Sequence, residues 1–403
     1  MKNTPEIRFK GFTDAWVQRK LGEVFKQTVE YVNPKEEDIE LWSLTVESGL
    51  TPKTERYNRE FLVKKEDAFK VVLPDEFIYN PMNITLGSVD LNLTNKKVAV
   101  SGYYITMRTV ENHNNNYFAV WLKSPKAIKL YKLYATGGLL EKQRVQFPSL
   151  SQIETTIPVY KEQTAIGNFF RTLDSTIVLY KRKAENLKQL KKAYLQQMFP
   201  QEGETVPRIR FAGFTGEWEV RLLGKHTKLI TKGTTPENRT VNGLINFIKV
   251  ENISNGKISP NSKITKEEHE GSLKRSKLEE SDIIISIAGT LGRTAIVKAD
   301  ILPANTNQAL AIIRGYDFDS NFLFISLHGN AVADYIRKNP TIGAQPNLSL
   351  EQIGNLTIWT PKLKEQTTIG NFFRNLDEQI NLYQTKLDNL KQLKSAYLQK
   401  MFV

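Results

Sequence analysis

Hydrophobic positions recur in steps of three and four along two stretches of this chain. Within residues 162–199 the apolar series is Ile166, Phe169, Leu173, Ile177, Tyr180, Ala184, Leu187, Leu190, Tyr194 and Met198. Within residues 365–402 it is Ile369, Phe372, Leu376, Ile380, Tyr383, Leu387, Leu390, Leu393, Tyr397 and Met401. This is the period of an amphipathic helix and lies close to the 3.5 spacing of a coiled-coil seam. The stretches are also copies of each other: at an offset of 203 residues they share 27 of 38 positions, among them EQ, IGNFFR, a Leu-Asp pair, NLKQLK, AYLQ and MF. Neither contains proline, and Pro158 and Pro361 stand where each helix is expected to begin. At ~1.5 Å rise per residue each helix is about 57 Å long. One apolar stripe on so long a helix needs a partner, and the other copy supplies it. Ile166, Phe169, Leu173, Ile177, Leu187 and Leu190 are expected to pair with Ile369, Phe372, Leu376, Ile380, Leu390 and Leu393.

The repetition extends further. Residues 5–22 read PEIRFKGFTDAWVQRKLG and residues 207–224 read PRIRFAGFTGEWEVRLLG. The chain is therefore two tandem units, each an aromatic lead-in, a globular region and a long helix. The lead-in aromatics, Trp16 and Trp218 included, are expected in the core. Between lead-in and helix the units hardly resemble each other. Residues 23–155 hold the β-type runs LWSLTV, FKVVL, EFIYN, KKVAVSGYYITMR and YFAVWL, and residues 225–357 hold NFIKV, DIIISIAG, RTAIVKA, ALAIIRGY and FLFISL. Residues 331–338 read as helix. Each region is expected to be a compact α+β domain with a twisted sheet. The organisation is 1–155 lead-in and first domain, 156–203 first helix, 204–357 lead-in and second domain, 358–403 second helix.

Charge narrows the partners. The 56 Lys and Arg against 43 Asp and Glu give +13, shared by both halves, which favours a polyanion. With no cysteine, disulfide and thiolate chemistry are excluded. The first residues lack a signal-peptide core and no run of ~18 apolar residues offers a membrane span, so a cytoplasmic protein without membrane contact is expected.

Catalytic signals are weak. His113, His226, His269 and His328 lie far apart without ligand spacing, so no metal site is expected. The YNPMN of residues 79–83 departs at Met82 and Asn83 from the Asn-Pro-Pro-aromatic motif of methyltransferases, and no glycine-rich loop precedes it. Pro74-Asp75 is not followed by the acidic-x-Lys of a nuclease. The glycine-bearing turn at 288–293 could present N–H groups and Arg293 to a phosphate, or could be an ordinary hairpin turn; it is not a P-loop. No catalytic residue is nominated.

Two variable domains, each followed by a near-identical helix opened by EQ and IGNFF, with repeated FxGFTxxW lead-ins, resemble the specificity subunit of a type I restriction-modification enzyme. Smaller echoes agree: TGG at 136–138, KGTTP at 232–236 and GAQPNLS at 343–349. The resemblance covers essentially the whole chain. It implies two target-recognition domains that each read half of a bipartite double-stranded DNA sequence, with the helices paired as an antiparallel coiled coil of pseudo-twofold symmetry that sets the gap. It also implies partners: two modification subunits that methylate adenine with AdoMet, and restriction (translocase-nuclease) subunits that use ATP and magnesium. The chain itself would be a non-catalytic subunit without a cofactor.

Loop residues suited to base edges or phosphates are Lys64, Lys65, Asn80, Ser101, Tyr103 and Tyr104 in the first domain. In the second they are Lys232, Thr234, Thr235, Thr290, Arg293, Asn305, Asn307, Gln308 and Gln345. On the helices, Arg171, Lys181, Arg182, Lys188 and Lys191 could meet DNA phosphate or a modification subunit. The competing reading is a structural adapter whose helices assemble proteins without reading DNA. Replacing residues 225–357 with the matching region of a relative is expected to change one half of the recognised sequence only. Mapping methylated adenines checks this, and a change in both halves refutes the modular reading.

Overall fold

The computed structural model describes residues 4–34, 36–53, 68–137, 143–236, 243–339 and 347–403; Lys64, Lys65 and Gln345 lie outside them. The chain divides into two compact units, one of Met1–Lys181 with Thr385–Val403, the other of Arg182–Gln384. The divisions fall inside the two long helices, Tyr160–Gln197 and Leu363–Lys400. Each unit thus holds the start of one helix and the end of the other.

In the first unit the lead-in runs into strand β1 (Val17–Lys20). An antiparallel four-stranded sheet follows, made of β2 (Phe25–Thr28), β3 (Phe77–Tyr79), β4 (Val89–Leu91) and β5 (Ile105–Thr109) in the order β2-β5-β3-β4. A three-stranded antiparallel sheet joins Tyr31–Val32, Phe69–Val72 and Val98–Ser101. Strand β6 (Glu154–Ile157) pairs with β1, Val17 opposite Ile157, and leads through Pro158 into the first long helix.

The second unit repeats this frame. Strand β7 (Glu219–Leu222) is followed by β8 (Thr227–Lys232), β9 (Ile283–Ser286), β10 (Thr294–Ile296) and β11 (Leu310–Tyr316) in the order β8-β11-β9-β10. Strand β12 (Thr357–Thr360) then pairs with β7. Its three-stranded sheet differs: Ile245–Ile248 pairs antiparallel with Lys263–Ile264 but parallel with Ala304–Thr306. Two globular regions with little sequence in common therefore share one four-stranded sheet and one strand order.

Several of the twice-written residues make the same contacts in both units. The Glu162 carboxylate accepts from Arg8 Nε at 2.6 Å and Nη2 at 2.7 Å, and Glu365 accepts from Arg210 at 2.7 and 2.8 Å. These bonds raise the pKa of Arg8 and of Arg210. Gln163 accepts from the N–H of Asn114, the cap of the helix Asn115–Trp121; Gln366 accepts from the N–H of Asp319, the cap of the helix Ser320–Ser326. Gly167 and Gly370 let those short helices approach, because an added Cβ would stand 2.6 Å from Tyr117 N and 2.7 Å from Phe322 N. The MF pairs follow the helices into a core: Phe402 lies against Tyr117 and Phe170, and Phe199 against Trp218, Phe322 and Phe373. Trp16 and Trp218 are buried as expected.

In each unit the two helix segments run antiparallel. Asp174 meets Lys394 at 2.5 Å and Tyr180 lies under Lys386 in the first; Asp377 meets Lys191 at 2.7 Å and Phe372 meets Tyr194 in the second. Ile166, Leu173, Ile369 and Leu376 are buried, and Phe169, Ile177, Leu187, Phe372 and Leu390 pack on the cores half-buried. Ile380 is half-buried. Leu190 and Leu393, expected in the seam, are instead 42% and 44% exposed. After Leu187 a step of four, not three, continues the stripe. It places Lys191 and Lys394 there, with their ammonium groups on Asp377 and Asp174. Lys191 accordingly is no outer-face residue, whereas Arg171, Lys181, Arg182 and Lys188 are exposed.

Two runs expected as strands are helices: YFAVWL falls in Asn115–Trp121 and FLFISL in Ser320–Ser326, opened by the caps Asn114 and Asp319. Residues 332–338 are helical as expected. Glu365→Ala would strand Arg210 beside a buried acid site, and a loss of about 3 kcal/mol in unfolding free energy is expected by denaturant titration.

Candidate nucleic-acid interface

Most of the described candidate residues lie on segments that leave one end of each four-stranded sheet. In the second unit β8 ends at Lys232, opposite Ala311; β11 begins at Leu310, opposite Ser286, where β9 ends; β10 begins at Thr294, opposite Ile285. The segments that leave this end carry Lys232, Thr234, Thr235, Thr290, Arg293, Asn307 and Gln308. Asn347 pairs with Ala288, and the Leu348 N–H donates to Ile287 O at 2.8 Å, so the described part of 343–349 arrives there too. The backbone is held closely. Gly233 N–H donates to Leu310 O at 3.1 Å and Thr234 N–H to Thr306 O at 3.0 Å. A Cβ on Gly233 would stand 2.1 Å from Thr306 O, so the KGTTP segment needs glycine there. Lys232 and Thr235 are exposed, Thr234 is half-buried, and the Thr235 hydroxyl donates to Gln308 Oε1.

Two nominated residues have other duties. Asn305 is fully buried: its Nδ2 donates to Leu273 O at 2.8 Å and Ser276 Oγ at 3.1 Å, and its Oδ1 meets His269 Nδ1. It holds the domain together and reaches no base. Arg293 directs its guanidinium at the carbonyls of Val250 and Ile253, 3.3 and 3.4 Å away, and so braces the neighbouring segment. The turn at 288–293 is the hairpin between β9 and β10. Its Gly292 N–H donates to Ser286 O and its Arg293 N–H to Ser286 Oγ, which leaves neither for a phosphate. Thr290 is exposed on that hairpin.

In the first unit Tyr79 ends β3 opposite Ile105, the first residue of β5, and Val89 opens β4 opposite Tyr79. Asn80, Ser101, Tyr103 and Tyr104 therefore occupy the equivalent sheet end. The YNPMN segment is a strand end and turn: Tyr79 is buried, and Asn80 Oδ1 accepts from the Met82 N–H at 3.0 Å. Ser101 and Tyr103 are exposed, while Tyr104 is half-buried against the cluster of Leu44, Val72 and Val100.

Lys70, not nominated, is buried beneath this end; its ammonium donates to Tyr104 O at 2.8 Å and lies 5.8 Å from the Tyr31 ring centre. Burial lowers its pKa. The available signal was a lone lysine inside the apolar run FKVV. The histidines stay apart, and among the described residues no three His, Asp or Glu are grouped to hold a metal. Among the described residues no helix is long and apolar enough to cross a membrane.

Comparison with known proteins shows what this arrangement is similar to. Residues 215–392 match the type I restriction modification DNA specificity domain. The specificity subunit of the type I restriction enzyme EcoBI from Escherichia coli is 29% identical over 161 residues, 37% of this chain and 33% of that protein. The MjaVIII specificity subunit from Methanocaldococcus jannaschii is 21% identical over 260 residues, 61% of this chain and 60% of that protein. The matches thus span less than two thirds of either relative. In fold, the type I S subunit from M. genitalium superposes with a TM-score of 0.66 at 16% identity, covering 99% of both chains. A structure of type I R-M complex assembly and conformational transition gives 0.50 at 16% identity, covering 96% of this chain and 97% of that one. The chain is thus similar to type I restriction-modification specificity subunits in fold and in part of its sequence, and residues 215–392 match their DNA specificity domain.

Asn305→Ala would remove the buried Nδ2 bonds to Leu273 O and Ser276 Oγ and the Oδ1 contact with His269, although Leu273 O keeps Ser276 as a donor. A loss of about 1–3 kcal/mol is expected in the stability of the second unit, read by thermal denaturation.

Proposed function

We propose that this chain reads a bipartite double-stranded DNA sequence, one half at the sheet end of each unit, and positions modification and restriction subunits on it. The observation that carries the reading is the shared strand order, β2-β5-β3-β4 and β8-β11-β9-β10, whose equivalent ends present different polar side chains. One frame with two contents suits two targets. Base edges are read by Asn, Gln, Ser, Thr, Lys and Arg, which these ends supply, while exposed lysines such as Lys232 neutralise phosphate.

The relatives are named as subunits of restriction enzymes, which supports a role beside catalytic partners. In this reading AdoMet serves the modification subunits, and ATP and magnesium serve the restriction subunits. The chain contributes no reacting group, and the complex works in the cytoplasm. The exposed Arg171, Lys181, Arg182 and Lys188 offer the helices a cationic surface for DNA or partner.

Binding of the full chain, with modification subunits, to duplex DNA is expected to fall steeply with salt and to prefer one bipartite sequence. Lys232→Ala should lower the slope of log affinity against log salt by about one. Binding without sequence preference would defeat the proposal.

A further inference from the structure

The loop that joins the two sheets is built the same way in both units, although its residues differ. In the first unit the strand Val98–Ser101 of the three-stranded sheet passes into β5 through Gly102, Tyr103 and Tyr104. In the second, the strand Ala304–Thr306 passes into β11 through Asn307, Gln308 and Ala309. Each connection contains a β-turn closed from first to fourth residue: Tyr104 N–H to Ser101 O at 3.1 Å, and Leu310 N–H to Asn307 O at 3.2 Å. In each, the side-chain oxygen of the first residue also accepts from the N–H of the third. Tyr103 N–H lies 3.5 Å from Ser101 Oγ, and Ala309 N–H lies 3.3 Å from Asn307 Oδ1. Ser and Asn are the residue types that support such a local bond.

Both turns are fastened to the body behind them. Gly102 N–H donates to Ala68 O at 2.7 Å, and a Cβ on Gly102 would stand 2.5 Å from that oxygen. Lys70 holds Tyr104 O. In the second unit Asn307 N–H donates to Ile248 O at 3.2 Å, and the adjoining Thr306 O accepts from Thr234. What each turn leaves outside is one large side chain able to hydrogen-bond: Tyr103, 44% exposed, and Gln308, also exposed. Gln308 is further oriented, since its Oε1 accepts the Thr235 hydroxyl. A hydroxyl can give or take a hydrogen bond, so either end of the amide suits Thr235; with Oε1 there, Nε2 is the end left to donate.

We infer that this matched turn is a specificity-determining element of each domain, with Gln308 reading an adenine in one half-site and Tyr103 contacting a base in the other. The inference rests on the proposed DNA-reading function. The chemistry is that of an amide against the major-groove edge of an A·T pair: Nε2 donates to N7, and the second lone pair of Oε1 accepts from the N6 amine. A rigid turn suits this task, because a reader held in place loses little freedom on binding.

The test selects binders from a randomised duplex DNA library with the full chain together with modification subunits, and measures melting of each variant. Gln308→Ala is expected to lose about tenfold affinity for the selected sequence, the size of one bidentate base contact. It should lose preference at a single A·T position in one half-site, leave the other half-site unchanged and keep the parent melting temperature. Gln308→Glu should shift that position towards cytosine, whose amine a carboxylate accepts. Tyr103→Ala should affect only the opposite half-site. If the parent chain selects a bipartite sequence and Gln308→Ala and Gln308→Glu both select it unchanged, the turn does not read DNA, although the domain does. If the parent selects no sequence, the DNA-reading function itself falls.

Discussion

A carboxylate buried in the first turn of each long helix is the constraint on which the rest of the structure depends. Glu162 receives both arms of the Arg8 guanidinium and the indole N–H of Trp16. Glu365 receives Arg210 in the same forked geometry. A negative charge is favoured at this end of a helix, and the planar fork fixes direction as well as distance. A buried ion pair adds little net stability over apolar packing, but it penalises every arrangement that separates its members. The lead-in is thereby locked to the helix at one angle. The adjacent Gln163 and Gln366 tie the caps of the short helices to the same turn. From that turn the positions of β1 and β7, and of the sheets behind them, follow.

The near-identity of the two helices has a physical cause in how their ends are used. Each copy gives its first turns to one core and its final MF pair to the other. Phe170 stacks with Phe402 at 6.1 Å, and Phe373 meets Phe199 at 6.2 Å. A change in either copy must therefore suit both junctions. The globular regions carry no such double obligation at their sheet ends, and there the residues differ freely.

The helices and lead-ins were legible because their periodicity and duplication reflect packing directly. The EQ and IGN motifs were visible as repeats, but their roles emerged only with the caps they meet. The choice between Leu190 and Lys191 was open, since steps of three and four both continue the stripe after Leu187; composition favoured leucine, whereas the nearby Asp377 favours lysine. YFAVWL and FLFISL read as strands because short apolar runs lack a decisive period, and the polar caps Asn114 and Asp319 make them helices. At the candidate interface, Lys232, Thr235, Tyr103 and Gln308 are exposed as a reader requires, but Asn305 is buried under Leu273 and Ser276. A single polar residue does not announce its depth. The common strand order of the two domains was hidden, because a backbone arrangement can persist where side chains share almost nothing.

The placement of Met401 and Phe402 bears on the chain's birth as well as its finished form. The second unit is one uninterrupted stretch, Arg182–Gln384, whereas the first closes its core with residues from the far side of that stretch. Residues emerge from the ribosome in order, and closing long loops is slow. The part made first is thus finished last. While it waits, the apolar socket around Phe170 and Tyr117 stays open, a window in which a nascent chain needs shelter from its neighbours.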